Sequence, residues 1–166
     1  PYTTLFRSNA KWISYPGISG KKTGVYHFRK QITLKVKPEH FLIHVSGDSR
    51  YKLFINGKLV SFGPAKSDIT HWKYETVDIA KYLKAGNNII ASIVWNFGDL
   101  NPISVFSLRT AFIIQGNTVN EEVINTDTSW KCFQNKAYSI IKITEEMVNG
   151  YYAASPGEIM DANFYP

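Results

Sequence analysis

Cysteine is almost absent from this chain. Cys132 stands alone among 166 residues, so no disulfide can close within it and no cysteine-rich zinc site can form. It reads as a half-buried strand residue after Trp130, because thiols pack as small hydrophobes. Long apolar runs are missing too. None approaches the roughly 18 residues of a transmembrane helix, and no charged, apolar, then small-residue leader is visible. There is no glycine-rich phosphate loop and no G-x-S-x-G elbow, which removes two large enzyme classes. Acidic residues are scarce in the first half. Residues 1–84 hold fifteen Lys/Arg against five Asp/Glu, or +10, whereas residues 85–166 hold four against eight, or −4. The lysines are dispersed along strand edges, where they block edge-to-edge pairing, and this argues against a nucleic-acid footprint.

What the chain does hold is aromatic residues and turn signals. Ten Tyr, ten Phe and four Trp favour strands over helices. The chain is organised around residues 51–98. Residues 51–55 and 58–62 flank Asn56-Gly57, and that dipeptide best tolerates the two positive φ angles of a type I′ hairpin turn. Residues 74–79 predict a further strand and residues 80–84 a short helical turn. Residues 89–97, apolar on both faces, predict a central strand covered on two sides, with Trp95 in the core.

Elsewhere the period is two. From Gly24, Phe28, Ile32, Leu34 and Val36 share one face, with Lys30 the single misfit. Residues 41–46 return, with His44 facing solvent. Residues 106–115 predict a long strand, and residues 122–125 and 130–133 short ones. Residues 11–17 suit a segment packed along a sheet, and residues 144–147 could start one helical turn. The pattern predicts an all-β, antiparallel, jelly-roll-like β-sandwich with one short helix. Residues 1–10 are set aside as a disordered or expression-derived leader. Residues 11–166 are expected to form one sandwich domain, with 137–166, where the alternation is lost, as its tail.

Chemistry is sparse. His40 and His44 have H-x-x-x-H spacing, but on a strand four residues span roughly 13 Å, too far for one ion. No metal or cofactor is implied. Glycoside cleavage needs two carboxylates about 5–9.5 Å apart, and the loop between Asp68 and Glu75 could bring that pair together. Asp78 reads better as a helix cap and Asp48 as a turn residue. Trp72 lies in a polar loop, which leaves three roles open: packing on another domain, core, or a flat platform for a sugar. The contact candidates for a neighbouring domain or a carbohydrate are Arg50, Lys66, Asp68, His71, Trp72, Tyr74 and Asn96.

Several stretches carry a family resemblance. GVYHFRK from Gly24, the run IHVSGDSRYKLFINGKLVSFGPAKSDITHWKYETVDIAKYLKAGNNIIASIVWNFG, and later TAFIIQG and NTDTSWK resemble the N-terminal β-sandwich of bacterial α-L-rhamnosidases of glycoside hydrolase family 78. They are similar, more loosely, to galactose-binding-like jelly rolls of other glycosidases. The Tyr51 to Lys58 part is shared by the whole fold class. Gly63 to Asp68, with His71, Trp72, Tyr74, Glu75 and Thr76, is narrower. The resemblance spans roughly residues 11–166. It implies a parent that hydrolyses terminal α-L-rhamnosides with inversion, through carboxylates on an (α/α)6 barrel further along the chain. No catalytic residue therefore carries over to this sequence. It also implies that the chain's partner is its own catalytic domain, with rhamnose-containing glycans as a second possibility, and neither nucleic acid nor membrane. The family suits a periplasmic or secreted setting without deciding against the cytoplasm.

Overall fold

A computed structural model describes residues 9–18 and 20–166, so most of the leader expected at residues 1–10 lies outside the described residues. Two antiparallel sheets form the body. The larger sets residues 58–63, 50–55, 86–96, 24–34 and 131–135 side by side in that order, and the smaller residues 75–78, 42–47 and 112–116. The larger is built from β1 (Gly24–Leu34), β3 (Arg50–Ile55), β4 (Lys58–Gly63), β6 (Gly86–Asn96) and β8 (Lys131–Asn135). The smaller is built from β2 (Leu42–Gly47), β5 (Glu75–Asp78) and β7 (Phe112–Gly116). Outside them, β9 (Tyr138–Ile141) pairs with β10 (Gly157–Met160).

The period-two alternation settles which side of each strand is dry. Tyr26, Phe28 and Ile32 of β1, Tyr51, Leu53 and Ile55 of β3, and Ile90 and Val94 of β6 point inward. They meet Ile43 and Val45 of β2 and Phe112 and Ile114 of β7. Phe112 is the keystone of this contact. Its ring stacks on Phe28 at 5.8 Å and meets Tyr51 at 6.0 Å and Trp130 at 5.8 Å. A fully buried side chain of this size contributes about 2–3 kcal/mol through apolar transfer alone. The antiparallel sandwich expected from the sequence is what the chain forms.

Local expectations resolve in physical terms. Asn56 and Gly57 both have positive φ, 51° and 82°, as the hairpin requires. Asn56 does more than turn. Its Nδ2 donates to the Tyr82 carbonyl and to Asn88 Oδ1, and its Oδ1 accepts from Ile89 N, each at 2.9 Å. Fully buried Asn88 returns Nδ2 bonds to the Lys84 and Gly86 carbonyls, so the polar plug at this end is fully partnered. Lys30 keeps to the dry face yet escapes at its edge. Its Nζ donates to the Asn125 carbonyl at 3.0 Å and pairs with Asp127 at 3.5 Å. Residues 11–15 do pack along a sheet, since Ile13 and Phe112 exchange both backbone hydrogen bonds at 2.9 Å.

Four expectations change. Residues 106–111 are not strand, because the Leu108 and Arg109 N–H groups go to the Asp48 carboxylate instead of a neighbouring strand. Residues 122–125 are a 3-10 turn, Glu122–Ile124, rather than a strand. The helical turn after β5 is likewise a 3-10 turn, Ala80–Tyr82. Trp95 lies on the outer face of the large sheet and is only half-buried, since buried Val94 and Asn96 claim the inner face. One α-helical turn, α1 (Glu145–Val148), forms where Thr144 caps it by accepting from Met147 N.

Candidate functional site

The loop between β4 and β5 carries most of the candidate residues, and Glu75 anchors it. Tyr51 donates its hydroxyl to Glu75 Oε2 at 2.6 Å, and Ala65 N donates to Oε1 at 3.0 Å. A Cβ at Gly63 would sit 2.6 Å from the Glu75 carboxylate, so a side chain there would displace that carboxylate from its hydrogen bonds. Burial, reinforced by the adjacent Glu75 carboxylate, pushes the Tyr51 hydroxyl far above its ordinary pKa. Further along, Asp68 closes a tight turn. It accepts from Thr70 Oγ1 at 2.6 Å, Thr70 N at 2.8 Å and His71 N at 2.9 Å, and pairs with His71 Nδ1 at 2.9 Å. Those hydrogen bonds, from Thr70 first and His71 next, hold its carboxyl well below the usual range.

The Asp68–Glu75 pair considered for acid–base work is thus divided between two structural duties. Both Glu75 oxygens accept hydrogen bonds, and Asp68 is tied to its own turn. Likewise His40 pairs with Asp78 at 2.8 Å, while His44 contacts Thr76 and Asn117. Among the described residues no group of three or more His, Cys, Asp or Glu could hold a metal ion.

Arg50, Lys66 and Trp72 do come together. They line a small cleft of about 60 Å³ beside Ser104 and Phe106, in which Lys66 Nζ donates to Ser104 Oγ at 3.0 Å. Trp72 also meets Trp12 edge-on at 6.3 Å, and among the described residues its buried Nε1 has no hydrogen-bond partner. The two indoles wall a second cavity of about 180 Å³ with Ile69, Leu108, Arg109 and Asp48. Asp68 and His71 face each other in an exposed turn. Tyr74 is on the surface against His44, 5.5 Å away.

Asn96 does not reach the surface. Its Nδ2 donates to Ser107 Oγ at 2.7 Å, and its Oδ1 accepts from Gly98 N and Asn101 Nδ2. Ser107 Oγ in turn donates to Asp48 Oδ1 at 2.5 Å, while Asp48 Oδ2 accepts from Leu108 N and Arg109 N. Burial outweighs these bonds and raises the Asp48 carboxyl above its ordinary value. No local signal marks Asp48 as a buried hub, because Gly47-Asp48-Ser49 has the composition of an ordinary turn. Trp12 was equally hidden, 60 positions from the ring it meets.

No protein-family model matches the chain, and no curated protein matches it. Solved structures do. The GH78 family rhamnosidase of Bacillus sp. GL1 superposes with a TM-score of 0.80 at 24% identity, covering 95% of this chain but 16% of that one. The chain shares its fold with a segment of rhamnosidases. The α-L-rhamnosidase of Dictyoglumus thermophilum gives a TM-score of 0.65 at 21% identity, over 95% of this chain and 19% of its own. The Pleurotus ostreatus lectin gives 0.53 at 24% identity, over 75% of this chain and 34% of the lectin. The chain therefore spans less than a fifth of each of these two rhamnosidases while matching their fold along nearly its whole length.

Proposed function

We propose that this chain is a non-catalytic accessory domain of an α-L-rhamnosidase, packing on an (α/α)6 catalytic barrel carried elsewhere in the parent polypeptide. The supporting observation is the asymmetry of coverage, 95% of this chain against 16% of the Bacillus rhamnosidase. The carboxylates add to it. Asp48, Asp68, Glu75 and Asp78 each accept hydrogen bonds from within the domain, so all four already have structural partners. The apolar residues of the tail support a neighbour as well. Tyr151 is 84% exposed and Phe164 63%, more than an isolated domain gains from displaying.

Assay of the chain alone on a chromogenic α-L-rhamnoside should give no turnover above the uncatalysed rate, and the parent enzyme should turn it over. Turnover by the chain alone would overturn the proposal. A second reading, a module for rhamnose-containing glycans, draws on Trp72, which with Trp12 walls the 180 Å³ cavity and whose Nε1 has no partner among the described residues. Calorimetric titration with rhamnose would give measurable heat on that reading, and silence at millimolar ligand would exclude it.

A further inference from the structure

The outer face of the large sheet carries a feature that the candidate residues of the loop do not explain. Two clefts, of about 420 and 430 Å³, share Arg50, Lys52 and Trp95, so together they form one groove running over β3 and β6. At one end it is walled by the β9–β10 pair, with Tyr138, Ser155 and Glu158. At the other it runs past Phe62 to Pro64 and Glu75. Register explains the composition. Arg50 pairs with Trp95 across β3 and β6, and Lys52 pairs with Ile93 and Phe62, so alternate residues bring cations and rings to one surface.

Each part has a chemical meaning. Trp95 offers an apolar face on a sheet surface, with the Lys52 ammonium 5.7 Å from its ring centroid. Neither Arg50 nor Lys52 belongs to an ion pair among the described residues. Between the Glu158 carboxylate at one end of the groove and Glu75, already bound by Tyr51 and Ala65, at the other, these two cations beside one indole suit a ligand that is apolar on one face and carries both an anionic group and hydroxyls. The Tyr138 and Ser155 hydroxyls and the Glu158 carboxylate supply acceptors and donors for hydroxyl groups. A carboxylate favours donors of hydroxyl protons, which a sugar has and a phosphodiester backbone lacks. Each cleft falls within the few hundred cubic ångströms typical of small-ligand sites, and their continuity suits an extended ligand.

From this geometry we infer that the groove over Trp95 binds a linear acidic oligosaccharide, one carrying uronic acid carboxylates. A pyranose stacks on Trp95, its carboxylate lies between Arg50 and Lys52, and its hydroxyls meet Ser155 and Glu158. This goes beyond the accessory role and does not depend on it. Rhamnoside turnover tests only the preceding proposal, and the binding described next tests only this one.

The experiment is titration of the intact chain with a galacturonic acid tetramer, followed by calorimetry and tryptophan fluorescence. The neutral glucose tetramer cellotetraose and a single-stranded oligonucleotide of matching charge serve as comparisons. The acidic sugar should bind at least about tenfold more tightly than the neutral one, the difference expected from charge-assisted contacts. A double variant, Arg50→Gln with Lys52→Gln, should lose about tenfold for the acid, leave the neutral sugar unchanged and keep its thermal midpoint. Trp95→Phe, which preserves the packing of the sheet face, should weaken both sugars. No binding of the acidic tetramer, or equal binding of the acidic and neutral sugars, would overturn the inference. So would tighter binding of the oligonucleotide with a steep loss in salt.

Discussion

The sandwich and the tail make an instructive pair. Both contain antiparallel strands with regular register, since β9 and β10 match residue for residue over four pairs much as β3 and β4 do around their bulge. Their side chains fare very differently. In the sandwich twelve large side chains, among them Tyr26, Leu53, Phe112 and Ile124, are almost wholly shielded. In residues 138–166 nothing is buried, and nine large apolar residues there are exposed, among them Tyr151, Met160 and Phe164. Paired backbones do not by themselves make a core. A two-stranded ribbon needs a second layer to bury its apolar side chains, and on the reading advanced above the parent enzyme supplies it.

Substitutions can sharpen that contrast. The largest effect should come from Phe112→Ala, which removes the ring shared by Phe28, Tyr51 and Trp130. It should cost about 3–5 kcal/mol in urea unfolding, the usual range for a buried phenylalanine. Asp48→Asn comes next. An amide presents an N–H₂ where the carboxylate accepted from Leu108 N, Arg109 N or Ser107, leaving a buried donor without an acceptor. It should cost about 1–3 kcal/mol. Removing residues 138–166 should cost less than about 2 kcal/mol by the same measurement, because little buried surface goes with them. A loss as large as that of Phe112→Ala would erase the distinction between the two regions.

How far the sequence disclosed this arrangement depends on how local each cause was. The Asn56-Gly57 turn and the alternation of β1 were legible because they depend on residues within a few positions of one another. The long strand expected at residues 106–115 failed in its first half because the deciding partner, Asp48, lies about sixty residues away and reads as a turn former. Trp95 was misplaced because both faces of β6 are apolar, and periodicity alone cannot say which face meets the other sheet. The pairing of β9 with β10 was invisible, since α1 and an irregular stretch separate them. At the site, Arg50, Lys66 and Trp72 converge on one cleft, whereas Asn96 is spent on internal hydrogen bonds. Which polar residues in a loop face outward is decided by the fold, and residue type carries no record of it.

Acidity offers a smaller test within the sandwich. Asp48 has a raised carboxyl pKa in the folded chain, so the folded state holds its proton more tightly than the unfolded state. Its contribution to stability therefore falls as pH rises from the ordinary carboxyl range through the folded value. The Asp48→Asn variant lacks this titration, so its stability deficit against the parent chain should be larger near about pH 4 than near about pH 7. Asp78 behaves oppositely. Its bonds from Ala80 N, His40 and Phe41 N lower its carboxyl to about 2, so its contribution fades as pH falls toward that value. Because Asp78 is exposed to solvent, that second effect should be the smallest of those described.

Hydrogen exchange on the chain alone and on the parent enzyme tests the central claim most directly. In the isolated chain, amides of β1, β3, β6 and β7 should be strongly protected and those of residues 138–166 should exchange quickly. In the parent enzyme the same tail amides should become protected while the sandwich stays as it was. Tail amides that exchange at the same rate in both would contradict the account.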